Sequence, residues 1–391
     1  MTTTVIIALC TLLLLAYLFD ISSALTKIPS VILLLLLGWV VKEIALFGGI
    51  VIPDLNVLLP GLGTIGLILI VLEGALELEL NKSKIPLLVK SSISALLPMI
   101  VMACLLAYAF KYYSIISFKS ALINAIPFCV ISSAIAIPSV RNLTANNKEF
   151  VIYESSLSDI FGVLMFNYFS LNDSIDVRSF GAFSFEFVLI ILFSFVAVLS
   201  LSFLLSRIEH HITYTPIILM VILIYTISKV YHLPGLIFIL VFGLFLGNLD
   251  ELKTFKWIEK FRPEKLNKEV EKFKGITIEA TFLIRSLFFL LFGFLMDAEE
   301  VLNIQSMPWA IAIVFIILTL RWITLKLSGL PVMPLLFVAP RGLITILLFL
   351  GISMEQRIGI VNKSLIIQTI VLSVIVMMLG LITNKNENPS L

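Results

Sequence analysis

The sequence predicts an all-α polytopic membrane protein with about thirteen transmembrane helices, arranged as inverted repeats in which two broken helices cross at mid-membrane. Three observations predict it. The 391 residues are 60% hydrophobic and 13% charged, with a mean hydropathy of +1.12. Apolar runs of membrane length recur along the whole chain between short polar loops. Two of those runs, near 121–140 and 331–353, are interrupted by proline. The net charge of +2 gives no basis for a nucleic-acid partner. Cys10, Cys104 and Cys129 lie inside apolar runs and read as small core residues rather than a disulfide framework. His210, His211 and His232 lack metal-binding spacing. No His-Glu-x-x-His pattern, paired catalytic aspartates or serine–histidine pair occurs at depth, so an enzyme is not expected.

In order, the predicted segments are 5–19, 28–47, 57–76, 85–110, 121–140, 150–170, 183–206, 215–231, 233–249, 276–296, 307–327, 331–353 and 364–383. The first lacks a basic start and a small-residue cleavage site and is expected to remain as a helix. The third ends in Glu73-Gly74-Ala75-Leu76-Glu77-Leu78-Glu79; Glu77 and Glu79 reach the interface, while Glu73, a turn deeper, is open to an interior role. The fifth carries Ser132-Ser133-Ala134-Ile135-Ala136-Ile137-Pro138, and its break is expected at Ile137-Pro138 because proline removes a backbone donor. The twelfth carries Pro340-Arg341-Gly342. Segments five and twelve run in opposite directions, as inverted repeats require, and irregular backbone at membrane depth survives only where it is buried or lines a cavity. With the N-terminus outside, the inner loops hold seventeen Lys and Arg against seven outside, leaving Arg285, Arg321 and Arg341 within helices. The stretch 250–275 is then a cytoplasmic connector of mixed charge, expected as an amphipathic surface helix.

The sixth segment organises the rest. It buries Glu154, Ser155, Ser158 and Asp159 in an apolar run, where a charge costs about 3 kcal/mol on insertion scales. Five residues separate the two acids, which is about 140° around a helix, so they serve different partners. Ser155 shares the face of Asp159, and Ser158 shares that of Glu154. One acid is expected to face a ligand and the other a structural cation. Arg285, Arg321 and Arg341 supply cations that must find carboxylates or carbonyls.

These residues resemble the monovalent cation:proton antiporter superfamily, on its sodium/proton exchanger (NhaP-like) branch. Glu154-Ser155-Ser156-Leu157-Ser158-Asp159 is similar to its Glu-Ser-x-x-Asn-Asp signature, and Leu72-Glu73-Gly74 to its Phe-Glu-Gly. Arg321 fits the arginine of the eleventh helix, Ala339-Pro340-Arg341-Gly342 the Arg-Gly of the broken twelfth, and Gly243 to Asn248 a glycine-rich ninth helix. The resemblance implies one exchanger domain over 1–391, with early helices forming a homodimer interface and helices near 121–170 and 307–383 the transport core. It implies that Asp159 binds a monovalent cation (Na⁺ or K⁺) and a proton in turn, assisted by Ser155 and Glu73; Ser158 stands where the family has Asn, and the hydroxyls of Ser132 and Ser133 are expected to compensate as ion-binding support. It implies a structural ion pair between Glu154 and Arg321. The family often has Thr-Asp-Pro at the fifth-helix break; aligned on Pro138, this sequence has Ala136-Ile137-Pro138, without hydroxyl or acid.

The expected activity is secondary antiport by alternating access, with no cofactor other than the transported ion, in the plasma (inner) membrane, with a cytoplasmic C-terminus. Burial disfavours the charged form of a carboxylate and a cation favours it, so one group can exchange the two ligands. A single transporting carboxylate predicts one-for-one, electroneutral exchange. Two other readings stay open: a transporter of another substrate, such as an organic anion held by Arg341, and a non-transporting relative.

Overall fold

The computed structural model describes residues 2–26, 28–49, 55, 57–78, 83–114, 116–140, 143–172, 181, 188, 192, 194–197, 214–230, 235–248 and 263–383. Among them it has fourteen α-helices and no strand. These are α1 (Thr2–Thr26), α2 (Ser30–Phe47), α3 (Leu58–Glu77), α4 (Ile85–Tyr113), α5 (Phe118–Ala125), α6 (Ser133–Ser139) and α7 (Ala145–Leu171). They continue as α8 (Tyr214–Val230), α9 (Gly235–Gly247), α10 (Pro263–Phe294), α11 (Ala298–Val301), α12 (Met307–Leu327), α13 (Leu343–Gly351) and α14 (Lys363–Thr383). Eight stretches among the described residues are long and apolar enough to cross a membrane. Helices α8 and α9 are shorter, at 17 and 13 residues, and most of the seventh expected segment, 183–206, lies outside the described residues. The described helices therefore leave the expected count of thirteen unfixed. The connector expected over 250–275 lies outside the described residues as far as 262 and from Pro263 is the first part of α10.

The chain divides into two compact units. The first comprises Met1–Thr64, Lys90–Gly162 and Leu283–Leu391. Its helices begin where local chemistry favours them. Ser117 caps α5 by accepting the Ser120 N–H at 3.0 Å, and Asn362 accepts the Leu365 N–H at 2.9 Å at the start of α14. Where α10 ends, Lys42 of α2 donates to the Met296 carbonyl at 2.9 Å and to the Asp297 carboxylate. That hydrogen bond holds the Asp297 carboxyl below its ordinary range. Lys363 of α14 donates to the Leu295 carbonyl at 2.7 Å and pairs with Glu300 at 2.9 Å. The two residues that follow α10 are thus held by side chains from two other helices.

The second unit comprises Ile65–Val89 and Val163–Phe282. Its core is aromatic: Phe242 of α9 stacks with Phe238 and meets the edge of Phe273 on α10. Asn248 donates to the Leu78 and Leu244 carbonyls, both at 2.8 Å, closing the ends of α3 and α9. Lys268, Glu271 and Lys272 are exposed, while Val270 and Phe273 are buried. Around Val270, α10 is therefore amphipathic.

Candidate functional site

The site begins with two interruptions of helical backbone, both in the first unit. The fifth apolar segment is α5, a 3₁₀ turn over Ile126–Phe128, a non-helical stretch at 129–132, and then α6. The twelfth is not one helix: a 3₁₀ turn over Leu335–Phe337 and a non-helical stretch at 338–342 precede α13. The two non-helical stretches meet. Ser132 donates its N–H to the Pro340 carbonyl at 2.9 Å. Gly342 makes the approach possible, because a Cβ there would lie 2.5 Å from Ile135 Cδ1 and 2.8 Å from Ser132 Oγ. Buried backbone polar groups must be paired, and at membrane depth their partners are protein or water held in a cavity.

Arg341 supplies much of that pairing. It is 3% exposed, and it donates from Nε to the Phe128 carbonyl (2.6 Å), from Nη1 to the Ala339 carbonyl (2.9 Å) and from Nη2 to the Cys129 carbonyl (3.3 Å). These carbonyls end one half-helix and flank the other break, where a cation is favoured. Its own N–H goes to Ser373 Oγ at 3.0 Å. With the guanidinium committed to backbone, Arg341 closes the breaks; the geometry gives no support to a role as ligand for an organic anion.

Helix α7 lies against the fifth-segment break. Gly162 admits Val130, whose Cγ2 would be 2.3 Å from an added Cβ. Ser158 Oγ accepts the Ile131 N–H at 2.9 Å. Asp159 Oδ2 accepts from the Ser133 hydroxyl and from the Ser133 N–H at 3.4 Å. Asp159 is 1% exposed, and its Oδ1 is buried with no hydrogen-bond partner among the described residues. The Ser132 hydroxyl is buried and unpartnered in the same sense. Ser155, expected beside Asp159, donates its hydroxyl to the Val151 carbonyl of its own helix at 2.7 Å, which leaves its lone pairs as acceptors.

Glu154 points elsewhere. Its two oxygens accept from Nη1 and Nη2 of Arg321 on α12, both at 2.9 Å, in a fork-to-fork pair with exposures of 2% and 5%. Arg321 Nε also donates to the Leu335 carbonyl at 2.5 Å. Glu154, Arg321 and Arg341 line one cavity of about 30 Å³, and Glu154 is the carboxylate on its wall. The 140° separation of the two acids places one on a structural cation and the other on the crossing.

One expectation is corrected. The fifth helix does not break at Ile137-Pro138: both lie in the last turns of α6, half-buried, and the break falls at 129–132. A proline in the final turn of a short helix deprives one carbonyl of its donor without unwinding the residues around it, whereas residues 129–132 are held open by Ser158, Pro340 and Arg341. Ser132 is the last residue of the break and Ser133 the first of α6, so hydroxyls are present where the alignment on Pro138 had none. Glu73 is half-buried on α3 and belongs to the second unit. Sequence reasoning passed over two residues. Thr345, in the first turn of α13, has a buried hydroxyl without a partner among the described residues, and Asp20 lies inside α1, past the end of its expected segment.

Residues 9–385 match the family described as "Sodium/hydrogen exchanger, transmembrane". No curated protein matches the chain. Among solved structures the chain is similar to the sodium proton antiporter MjNhaP1 from Methanocaldococcus jannaschii. Against its structure at pH 8 it has 18% identity and a TM-score of 0.64, covering 97% of this chain and 96% of that one. Against the electron-microscopy structure it has 17% identity and a TM-score of 0.69, with all of both chains covered. At that identity the likeness concerns the fold alone. By the family match over nearly its whole length, the chain belongs to the sodium/hydrogen exchanger family, and it is an integral membrane protein that exchanges cations for protons.

Proposed function

We propose that Asp159 is the group that carries the cation and the proton in turn. The observation that supports it most is the division of labour between its two oxygens. Oδ2 is fixed by Ser133, while Oδ1 is buried without a hydrogen bond from a described residue. A buried carboxylate oxygen in that position is stabilised either by a proton on it or by a cation against it. The Ser132 hydroxyl, the lone pairs of Ser155 and Ser158 and backbone carbonyls at the break supply the further oxygens that Na⁺ or K⁺ needs. Glu154 and Arg321 hold α7 to α12 and take no part in exchange. One carboxylate carrying one charge makes the exchange one-for-one and electroneutral, with no cofactor and no covalent chemistry.

The same reading has the protein as a homodimer in the inner (plasma) membrane, with α1, whose apolar side chains are mostly exposed, against the partner or lipid. The N-terminus is outside and the C-terminus cytoplasmic, from the charge bias of the loops. Residues 121–170 and 307–383 form the moving core, and alternating access follows from its displacement. The test is exchange by purified Asp159→Asn in proteoliposomes, with Na⁺ and K⁺ offered separately.

A further inference from the structure

We infer that Arg285 is a positioning residue for the exchange site: it replaces the backbone hydrogen bond that Pro138 removes from α6. In a helix the N–H of residue 138 would return to the carbonyl of residue 134, and Pro138 has none to give. Arg285 of α10 donates Nη1 to the Ala134 carbonyl at 3.4 Å. Its Nη2 lies 4.0 Å from Asp20 Oδ1 on α1, with side-chain exposures of 11% for Arg285 and 15% for Asp20. Ser30 of α2 donates its hydroxyl to the same Asp20 oxygen at 3.4 Å. Ala134 directly follows Ser133, whose N–H and hydroxyl both hold Asp159. The chain of contacts therefore runs from Asp20 through Arg285 and the Ala134 carbonyl to Ser133 and Asp159. A carbonyl without its helical donor leaves the first turn of α6 free to rotate, and with it the two groups that fix Asp159 Oδ2. A cavity of about 20 Å³ borders Ala134, Pro138 and Ser139, room for one water. The fixed, charged donor on Arg285 holds the turn where a mobile water would not.

This inference rests on Asp159 as the exchanging group, and the two fail separately: exchange that survives Asp159→Asn defeats the first reading, whatever Arg285 does. The test is a cycle of Arg285→Met, Pro138→Ala and the double variant, with apparent cation affinity and maximal rate measured in proteoliposomes. Pro138→Ala restores the N–H, so the Ala134 carbonyl no longer depends on Arg285. In the otherwise wild-type chain, Arg285→Met is expected to weaken apparent cation affinity about tenfold, the equivalent of one charge-assisted hydrogen bond. Relative to the Pro138→Ala parent, the loss should shrink to less than about twofold. Arg285→Lys, which keeps the charge but not the planar guanidinium fork, should fall between. Equal losses in both backgrounds, or no loss in either, overturn the inference. If Arg285→Met does not accumulate as folded protein, its recovery as monodisperse protein in the Pro138→Ala background is the same test. Failure to recover there, with Pro138→Ala itself folded, overturns it as well.

Discussion

The pair between Glu154 and Arg321 makes a quantitative prediction. Both side chains are almost fully buried, at 2% and 5% exposure, and are joined by two parallel hydrogen bonds of 2.9 Å. Truncating one partner of such a pair strands the other charge and costs about 3–5 kcal/mol. Glu154→Ala leaves Arg321 and Arg341 on the wall of one small cavity without a carboxylate between them, so like charges add to the loss. Arg321→Ala also removes one of two donors to the Leu335 carbonyl, which keeps the Val338 N–H at 3.1 Å. Removing both partners abolishes the stranded charge, so the double variant should be less destabilised than the sum of the singles by about 2 kcal/mol or more. Denaturant unfolding of the four proteins in one detergent measures the cycle, and cation-driven proton flux by the folded fraction of each checks that the pair is structural. Additivity within about 0.5 kcal/mol would mean that the two side chains do not stabilise one another, and the reasoning would be wrong.

Three further outcomes are expected from the same geometry. Gly342→Ala should destabilise by about 1–3 kcal/mol through overpacking, because its Cβ would lie 2.5 Å from Ile135 and 2.8 Å from Ser132 Oγ; a variant as stable as wild type in thermal unfolding would contradict the close crossing of the breaks. Ser133→Asp should change the pH profile of exchange, because two carboxylates in contact share a proton, while Ile137→Asp, beyond the break, should leave the profile as in wild type. The reverse pattern would restore the alignment on Pro138. A cysteine at Thr254 should react with an impermeant reagent only from the cytoplasmic face; labelling from outside intact cells would invert the proposed topology.

The opposite aim of Glu154 and Asp159 on α7 was legible because a helical period of 3.6 residues is all that is needed to turn them apart. The twelfth-segment break was legible because Pro340 and Gly342 lie within it. The fifth-segment break was misplaced for a physical reason. Residues 129–132 contain neither glycine nor proline, and the groups that hold them open are distant in sequence: the Ser158 hydroxyl, the Pro340 carbonyl and the Arg341 guanidinium. Pro138 gave the stronger local signal and lies in a helix, its missing donor answered from α10. Pro127, in the 3₁₀ turn just before the break, is the nearer signal. Asp20 escaped because apolar runs are cut at their first charge, whereas α1 continues to Thr26 and sets that half-buried charge 4.0 Å from Arg285. Ser155 shares a face with Asp159, but periodicity alone does not reveal that its hydroxyl proton is spent on Val151.

The most direct measurement is cation-driven proton flux by Asp159→Asn in proteoliposomes, beside wild type, with Na⁺ and K⁺ gradients imposed in turn. The substitution is isosteric and keeps an oxygen that can accept from Ser133, so the protein should remain folded with wild-type thermal stability. Exchange is predicted to disappear for both cations. Undiminished cation-dependent proton flux in the folded variant would contradict the assignment of Asp159 as the exchanging group.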